Sequence, residues 1–335
     1  MRGTSTFAVA KDCVIKGTSA TMSEVAGAPC SWCTYSLSVN VSSPVGVSFY
    51  RSLMLQYALE WQVDFLKNDC VFGSQFVPDE IAVQSKILES LRTERDIVYS
   101  LSPGGHGTIG EIVAKARQIA SMSSMYRVNN DDWDNWDALK GHFDVAAAFA
   151  DARLAGVPGL NGRPSFPDFD MLPLGYITSP SGSKSHFPYH MSNLTQGEQR
   201  MQMALWGLAP SPLFFGGDMR RMDAFTLGLL TNREILKLNN LGTKSEQIRK
   251  SGATRVWRAH LSLTITADLY AGVFNTGDAA AKEALTLEDF GAKSGEECNL
   301  FDVWSGERAG SLGSSSRVEV EVASHDVMLL RAVCE

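Results

Sequence analysis

Val63-Asp64-Phe65-Leu66-Lys67-Asn68-Asp69 is a short apolar stretch that ends in a cation and a carboxylate. A helix-like segment at 48–61 precedes it, and another follows at 79–94, where apolar residues recur at helical spacing. The same strand-then-helix alternation continues to about residue 235. Repeated units of this kind, with short apolar strands, predict an α/β fold built on a parallel sheet that is either open or closed into a barrel.

Polar residues recur where the predicted strands end. Strand-like segments lie at 97–101, 125–128 and 213–215, and residues 168–172 form another segment expected at the same rim. The polar positions at or just beyond these ends are Asp69, Ser102, Asp131, Asp170 and Asp218. A single aspartate after a strand is usually a helix N-cap. Five such positions in succession favour an active site, because βα barrels place theirs at the carboxyl ends of the strands.

The pattern changes after about residue 245. Short apolar segments alternate there with Gly, Ser, Asp and Asn turns, which predicts an antiparallel β domain. The predicted strands lie at 256–258, 263–265, 271–274, 299–304, 318–322 and 327–330, with a surface turn at 310–316. We therefore predict two domains, residues 1–245 and residues 250–335.

Charge and motif content narrow the function. The net charge of −7 argues against nucleic acid as a partner, and no apolar run approaches the roughly 20 residues that span a membrane. The sequence has no phosphate-binding glycine loop, no G-x-S-x-G elbow and no His/Cys spacing typical of a metal site, so we predict no cofactor and no metal. His142, His186 and His190 are expected on the surface or behind the site. Among the kinds of catalysis considered, carboxylate chemistry is the one that remains.

The six cysteines include one short pattern. Cys30-Ser31-Trp32-Cys33 has the C-x-x-C spacing. No second pair completes a zinc site and no nearby βαβ pattern supports a redox role, so structural thiols or a disulfide are favoured over metal or redox chemistry. The sequence does not specify which cysteines pair.

Asp69 and Asp131 form the candidate catalytic pair. Two carboxylates on one rim of a barrel can act as nucleophile and acid/base in glycoside cleavage. Each strand end also carries a cation, Lys67 or Arg127, and the second is rich in tryptophan. Aromatic faces suit the C–H groups of a sugar and charged groups suit its hydroxyls, so a carbohydrate is the expected partner.

Five blocks extend this interpretation. Two blocks carry the candidate catalytic pair: Val63–Asp69 is similar to V-D-(Y/F)-(L/V)-K-(Y/F)-D, and Tyr126–Trp136 is similar to W-R-x-x-x-D-I-x-D-x-W. Asp168–Leu172 is similar to D-P-D-M-L. Further along the chain, Leu205–Arg220 is similar to L-W-(A/S)-x-x-x-(A/S)-P-L-x-x-G-x-D-(V/L)-R, and Thr231–Ile235 is similar to (S/T)-N-x-E-(V/I). Together they resemble family 27 of the glycoside hydrolases, the α-galactosidase or melibiase family, and most nearly its plant melibiase-like or β-L-arabinopyranosidase-like branch. The resemblance implies a (β/α)8 TIM-barrel glycosidase domain followed by a C-terminal antiparallel β sandwich.

The resemblance also implies roles. Asp69 is the expected nucleophile of a retaining exo-glycosidase, through a covalent glycosyl-enzyme, and Asp131 is the expected acid/base. Lys67, Arg127 and Asp170 are expected to hold sugar hydroxyls or to support the carboxylates. Lys67 lies two residues before Asp69, so both side chains point to one face of the strand, where an ammonium favours the ionised carboxylate.

Asp132 competes with Asp131 for the acid/base role. The spacing favours Asp131, which follows Arg127 by four residues and precedes Trp136 by five, as in the family block. Nearby acids such as Asp132 and Asp134 favour the protonated form of Asp131 by like-charge repulsion, and a proton donor requires that form.

Three departures from the family pattern bear on the site. Ser102 stands where α-galactosidases typically have a glutamate that contacts the sugar near C2; a serine there is similar to α-N-acetylgalactosaminidases and to the plant branch. The substrate therefore stays open among α-galactosides, β-L-arabinopyranosides and 2-acetamido sugars. Asn68 replaces the usual aromatic residue before the nucleophile. Cys70 directly follows Asp69, whereas the family's cysteine comes two residues after its nucleophile, which leaves the usual disulfide unassigned.

The start of the chain is the largest departure. Met1-Arg2-Gly3 resembles the end of the family's third barrel strand. The resemblance thus implies that the first two to three strands, with a sugar-binding Trp and an Asp-Asp pair, have no counterpart here, and no apolar signal-peptide region is seen. We expect low or no activity from the chain as written.

Alternative functions follow from the same observations. The first is a truncated, catalytically inactive relative that at most binds glycans weakly; the second is an unrelated βα enzyme whose β tail is a binding module. The family resemblance implies a secreted, cell-wall or vacuolar protein, while the chain itself leaves the compartment and the oligomeric state open.

Overall fold

The computed structural model describes residues 12–33, 36–178, 189–261 and 268–334. The predictions for Met1–Gly3, His186 and the strand at 263–265 lie outside these ranges. Contacts divide the chain into two compact units. The first comprises Met1–Asn130 and Arg153–Asp168, and the second comprises Asp131–Ala152 and Phe169–Glu335.

The first unit is built on a sheet with parallel neighbours. Its strands, in spatial order, are β3 (Phe65–Asn68), β4 (Val98–Leu101), β5 (Met125–Arg127) and β7 (Pro164–Asp168), and β6 (Val157–Pro158) pairs antiparallel with β7. Helices α1 (Pro44–Leu55), α2 (Pro78–Ser90) and α3 (Ile109–Ile119) accompany them, together with the antiparallel pair β1 (Ala26–Pro29) and β2 (Leu37–Val39).

Local chemistry explains these elements. The segment that becomes α3 begins with a capping box between Thr108 and Glu111, and its Ile112 and Ile119 are buried, as an amphipathic helix on a sheet requires. Hydrogen bonding continues past the strand ends, where the Ser102 N–H donates to the Asn68 carbonyl at 3.0 Å. The carboxyl ends of the parallel strands therefore lie at one edge of the sheet.

The second unit holds helices and an antiparallel β sandwich. Its elements are α4 (Trp136–Asp151), β8 (Tyr176–Thr178), β9 (Tyr189–Met191), α5 (Gln196–Leu208), α6 (Ala224–Leu230), α7 (Arg233–Leu241), β10 (Gly242–Ser251), β11 (Thr254–Leu261), β12 (Asp268–Asn275), β13 (Ala281–Leu285), α8 (Leu287–Phe290), β14 (Cys298–Asp302), β15 (Arg308–Leu312), β16 (Val318–Val322) and β17 (Asp326–Cys334). The large sheet has the order β10-β11-β12-β17-β14-β15, and β13 pairs with β16 in a second sheet. Val273, Phe290 and Leu300 belong to the fully buried core of this sandwich.

Two predicted elements differ in the structure. The surface turn predicted at 310–316 was wrong at its start, because Gly310 and Leu312 belong to β15. The register shifts between Leu300 and Phe301 of the partner strand, and Gly310 has a φ of 149°, so a glycine accommodates this bulge. The predicted strand at 213–215 is reduced to an isolated parallel bridge between Leu172 and Phe215. Among the helices that the structure describes, none is long and apolar enough to cross a bilayer.

Candidate active site

Asp69 follows β3 in a strained turn. Its Oδ1 accepts the backbone N–H of Cys70 at 2.7 Å, and Cys70 has a φ of 58°, in the left-handed region that residues other than glycine rarely adopt. Such backbone conformations persist where the surrounding structure holds them, often at functional sites. Burial alternates along β3 so that Lys67 is exposed between buried Leu66 and Asn68, and the carboxylate of Asp69 is half-buried.

A disulfide between Cys30 and Cys70 fixes this turn. The preference for a structural role of Cys30 is therefore confirmed, and the bridge reaches the residue next to Asp69. Cys298 and Cys334 form a second disulfide, within the β sandwich. Within the described parts of the chain, no group of three or more His, Cys, Asp or Glu side chains is arranged to hold a metal ion.

Replacing Cys30 and Cys70 together by alanine is expected to lower the free energy of unfolding by about 4 kcal/mol, since the bridge joins residues 40 apart. Turnover should also fall in this variant, because the turn beside Asp69 loses its anchor. The matched control removes Cys298 and Cys334, whose separation is 36, and should cost similar stability without the kinetic loss. Denaturant unfolding and steady-state rates at a temperature where both variants are folded make the comparison. Equal turnover in the two variants would argue against a role for Cys70 in the site.

Asn68 is accommodated by a buried polar network. Its Nδ2 donates to the Tyr99 hydroxyl at 3.0 Å and to Gln84 Oε1 at 3.2 Å, and the Tyr99 hydroxyl donates to the same Gln84 oxygen at 2.9 Å. The NH2 group of Asn68 is therefore hydrogen-bonded at the place of the family's aromatic residue.

Ser102 and Arg127 lie at the carboxyl edge of the same sheet. Ser102 is 7% exposed and follows β4. Arg127 is buried at the end of β5, and its Nη2 donates to the carbonyls of Asn130 at 2.8 Å and Asn129 at 3.3 Å. A Cβ at Gly105 would lie 2.9 Å from the Asn130 nitrogen, so this glycine permits close approach of the two loops. These contacts brace the backbone that leads to Asp131.

The three acids after β5 have different surroundings. Asp131 is exposed, whereas Asp132 is 1% and Asp134 is 8% exposed. Asp132 Oδ2 accepts a hydrogen bond from Gln202 Nε2 at 2.9 Å and lies 3.2 Å from His142 Nε2. Asp132 therefore points into the interior, where it is poorly placed to protonate a substrate.

Asp134 has its own partners. Its Oδ2 accepts the backbone N–H of Asn193 at 2.8 Å and the Asn193 amide at 2.7 Å, and it lies 2.9 Å from His190 Nε2. Both neighbouring carboxylates are thus held by other groups.

Asp170 lies next to the Asp131–Asp132 peptide. The Asp132 N–H donates to Asp170 Oδ2 at 2.6 Å, and Asp170 has a φ of 81°.

Asp218, which follows the predicted strand at 213–215, forms an ion pair with Arg220. The side-chain and backbone hydrogen bonds from Arg220 lower the pKa of the Asp218 carboxyl to about 2. Asp218 is therefore held as an anion.

The structure thus groups the predicted residues within each unit. In the first unit, Asp69 and Ser102 directly follow β3 and β4, and Lys67 and Arg127 lie in the last residues of β3 and β5. In the second unit, the Asp132 amide connects the Asp131 segment to Asp170. Two groups lie behind Asp132: sequence reasoning left His142 open between the surface and a position behind the site, and it missed Gln202. His142 is a polar residue on the buried face of α4, and Gln202 is fully buried in α5. The signal available for His142 was its helical spacing with buried Leu139 and Ala146.

Family comparisons match both parts of the chain. The family model Alpha galactosidase A matches residues 43–241, and the model Alpha galactosidase C-terminal beta sandwich domain matches residues 251–332. The chain therefore belongs to the α-galactosidase (melibiase) family. The predicted fold class, a TIM-barrel glycosidase domain followed by an antiparallel β sandwich, is confirmed.

Individual relatives agree with this assignment. The chain is 27% identical over 247 residues to α-galactosidase 2 of Arabidopsis thaliana, covering 73% of the chain and 54% of that protein. It is 27% identical over 269 residues to an α-galactosidase of Coffea arabica, covering 79% and 62%. The crystal structure of a β-L-arabinopyranosidase of that glycoside hydrolase family from Geobacillus stearothermophilus has a TM-score of 0.85 and 29% identity, covering 99% of the chain and 72% of the enzyme. The chain spans about half to three-fifths of the length of these plant relatives.

Proposed function

We propose that this protein is a retaining exo-glycosidase that removes terminal α-D-galactosyl or β-L-arabinopyranosyl residues. The observation that carries the proposal is a carboxylate beyond each of two strands of one parallel sheet, Asp69 after β3 and Asp131 after β5, with β4 between the two strands, in a chain of the α-galactosidase family. Asp132 and Asp134 lie close to Asp131 in the chain, but Asp132 is turned to buried Gln202 and Asp134 accepts hydrogen bonds from Asn193.

The proposed reaction has two displacements. Asp69 attacks the anomeric carbon while the Asp131 carboxylic acid protonates the departing glycosidic oxygen, which gives a glycosyl ester on Asp69 and a free alcohol. Asp131, now a carboxylate, takes a proton from water as that water attacks the same carbon and releases Asp69. Two inversions retain the anomeric configuration.

The two proposed sugars share ring stereochemistry and differ mainly by a hydroxymethyl group. Similarity to the Geobacillus β-L-arabinopyranosidase over 99% of the chain supports the pentose, and the plant α-galactosidases support the hexose. Ser102 in place of the family's glutamate keeps 2-acetamido sugars as a third class. The two disulfides support a secreted, cell-wall or vacuolar location, because such bonds persist in oxidising compartments.

The test is turnover by the purified chain of 4-nitrophenyl β-L-arabinopyranoside, α-D-galactopyranoside and 2-acetamido-α-D-galactopyranoside. We expect slow release of 4-nitrophenol from one of the first two, with ¹H NMR showing the retained anomer as first product. Release no faster than in an Asp69→Asn variant would contradict the proposal and favour the inactive, weakly glycan-binding relative. The inverted anomer as first product would exclude the covalent mechanism.

A further inference from the structure

We propose that the buried Asp132–His142 pair positions the acid/base Asp131, so that His142 governs acid catalysis without touching the substrate. This inference rests on the proposed function and names a positioning residue for it. The two residues are each 1% exposed, and His142 Nε2 lies 3.2 Å from Asp132 Oδ2.

His142 is held in one orientation by α4 and by aromatic neighbours. It lies on the buried face of the helix with Leu139 and Phe143. Its ring meets the Trp206 ring edge-on, with centroids 4.8 Å apart at 68°, and lies 6.1 Å from the Phe169 ring. A rigid imidazole can therefore fix the position of the carboxylate that it contacts.

Gln202 completes the support from a second helix. Its Nε2 donates to the same Asp132 oxygen at 2.9 Å and to the Met171 carbonyl at 3.5 Å. The Asp132 side chain is thus held by groups from α4 and α5, which come from distant parts of the sequence. The two contacts restrict the position of Asp132 Oδ2, and removing one partner of a buried charged group leaves a costly unbalanced group.

The backbone of Asp132 transmits this position to the site. Asp131 is the preceding residue, so a rotation of Asp132 swings the Asp131 carboxylate. On its other side, the Asp132 N–H donates to Asp170 Oδ2 at 2.6 Å. A side chain fixed in the interior therefore determines where an exposed carboxylate and a half-buried one are presented.

The pair is a departure of this chain from the family block. Asp132 stands where the block W-R-x-x-x-D-I-x-D-x-W has isoleucine, which can be held by apolar packing alone. An aspartate at that buried position needs polar partners, and His142 and Gln202 supply them. An isoleucine held by apolar packing and an aspartate held by polar partners can both fix this position. Replacing Asp132 and His142 together should therefore cost less than replacing His142 alone.

The experiment compares kcat/KM for two glycosides of the same sugar. The leaving group of a 2,4-dinitrophenyl glycoside departs with little protonation of the glycosidic oxygen, whereas the leaving group of a methyl glycoside requires protonation by the acid. Misplacing a catalytic group by about 1 Å can cost roughly 100-fold. We therefore expect His142→Leu to lower the methyl-glycoside value by about 30- to 100-fold, and the dinitrophenyl value by less than about threefold. The ratio of the two values is the readout, because a loss of folded protein lowers both equally.

Two further variants test whether the pair acts as a unit. His142→Gln keeps a donor for Asp132 and should keep the ratio within about threefold of the wild type. The double variant Asp132→Ile/His142→Leu removes both polar groups and should recover most of the ratio lost in His142→Leu. If His142→Leu does not fold, Asp132→Ile replaces it as the single variant in the same comparison.

The matched control is His190→Leu, which breaks the neighbouring His–Asp contact at Asp134 and should change both substrates by the same factor. A His142→Leu ratio within twofold of the wild type, or a double variant no better than the single one, would overturn the inference while leaving the proposed function in place. A wild-type chain that turns over neither substrate would contradict the proposed function, and this inference would fall with it.

Discussion

Asp69→Asn is expected to lower kcat for either aryl glycoside by at least about four orders of magnitude, which corresponds to about 5 kcal/mol in activation free energy. The amide has nearly the shape of the carboxylate but cannot form the glycosyl ester, so both displacements are lost. The fold should persist, because Asp69 is half-buried and its oxygen accepts the Cys70 N–H, as an amide oxygen also can. Steady-state rates with a circular-dichroism check of folding give the result.

The matched control for Asp69→Asn lies at the other end of the same strand. Asp64 is exposed and forms an ion pair with Arg95 at 2.6 Å. Asp64→Asn should therefore cost at most about 1 kcal/mol of stability and leave kcat unchanged, since exposed ion pairs contribute little. A loss of activity in Asp64→Asn as large as in Asp69→Asn would contradict the assignment of the nucleophile.

Asp131→Ala should show a loss that depends on the leaving group. General acid catalysis contributes about 10²- to 10⁴-fold, so kcat/KM for the methyl glycoside should fall by that factor. The 2,4-dinitrophenolate leaving group departs with little protonation, so kcat/KM for the 2,4-dinitrophenyl glycoside should change by less than about tenfold. Its kcat should still fall, because water attack on the glycosyl-enzyme needs the base.

The control for this variant is an acid on the neighbouring helix. Asp137 is exposed in the first turn of α4, where its negative charge interacts favourably with the helix dipole and stabilises the helix by about 0.3–1 kcal/mol. Asp137→Ala should lose that stability and keep the kinetic ratio. A ratio in Asp131→Ala equal to the wild-type ratio would move the acid/base role elsewhere, and Asp132→Asn would then be the next variant to measure.

The parallel part of the fold was readable from the sequence because its strands are apolar and their helices are amphipathic. Val98–Leu101 and Ile109–Ile119 follow those periods closely. By contrast, β10 (Gly242–Ser251) has one aliphatic side chain, Ile248, and becomes a strand by pairing with β11. Such a strand depends on its neighbour, and no local pattern predicts it.

The residues of the candidate site also fall into those that a local sequence pattern indicates and those that depend on long-range contacts. The spacing from Lys67 to Asp69 and from Arg127 to Asp131 is local, so the sequence could indicate those residues. The partners of Asp132 could not be found locally, since Gln202 lies 70 residues away. The pairing of Cys30 with Cys70 also depends on a long-range contact, because cysteine spacing alone does not determine connectivity.

The most direct test of the central claim is to trap the glycosyl-enzyme. A fluorinated glycosyl fluoride of the galacto or L-arabinopyranosyl series slows the second displacement, so the ester accumulates and is visible by intact mass. We predict that the wild-type chain gains one fluoroglycosyl group, that peptide mapping places it on Asp69, and that Asp69→Asn gains none. Label on another residue, or turnover of the aryl glycoside with no trapped adduct, would contradict the account.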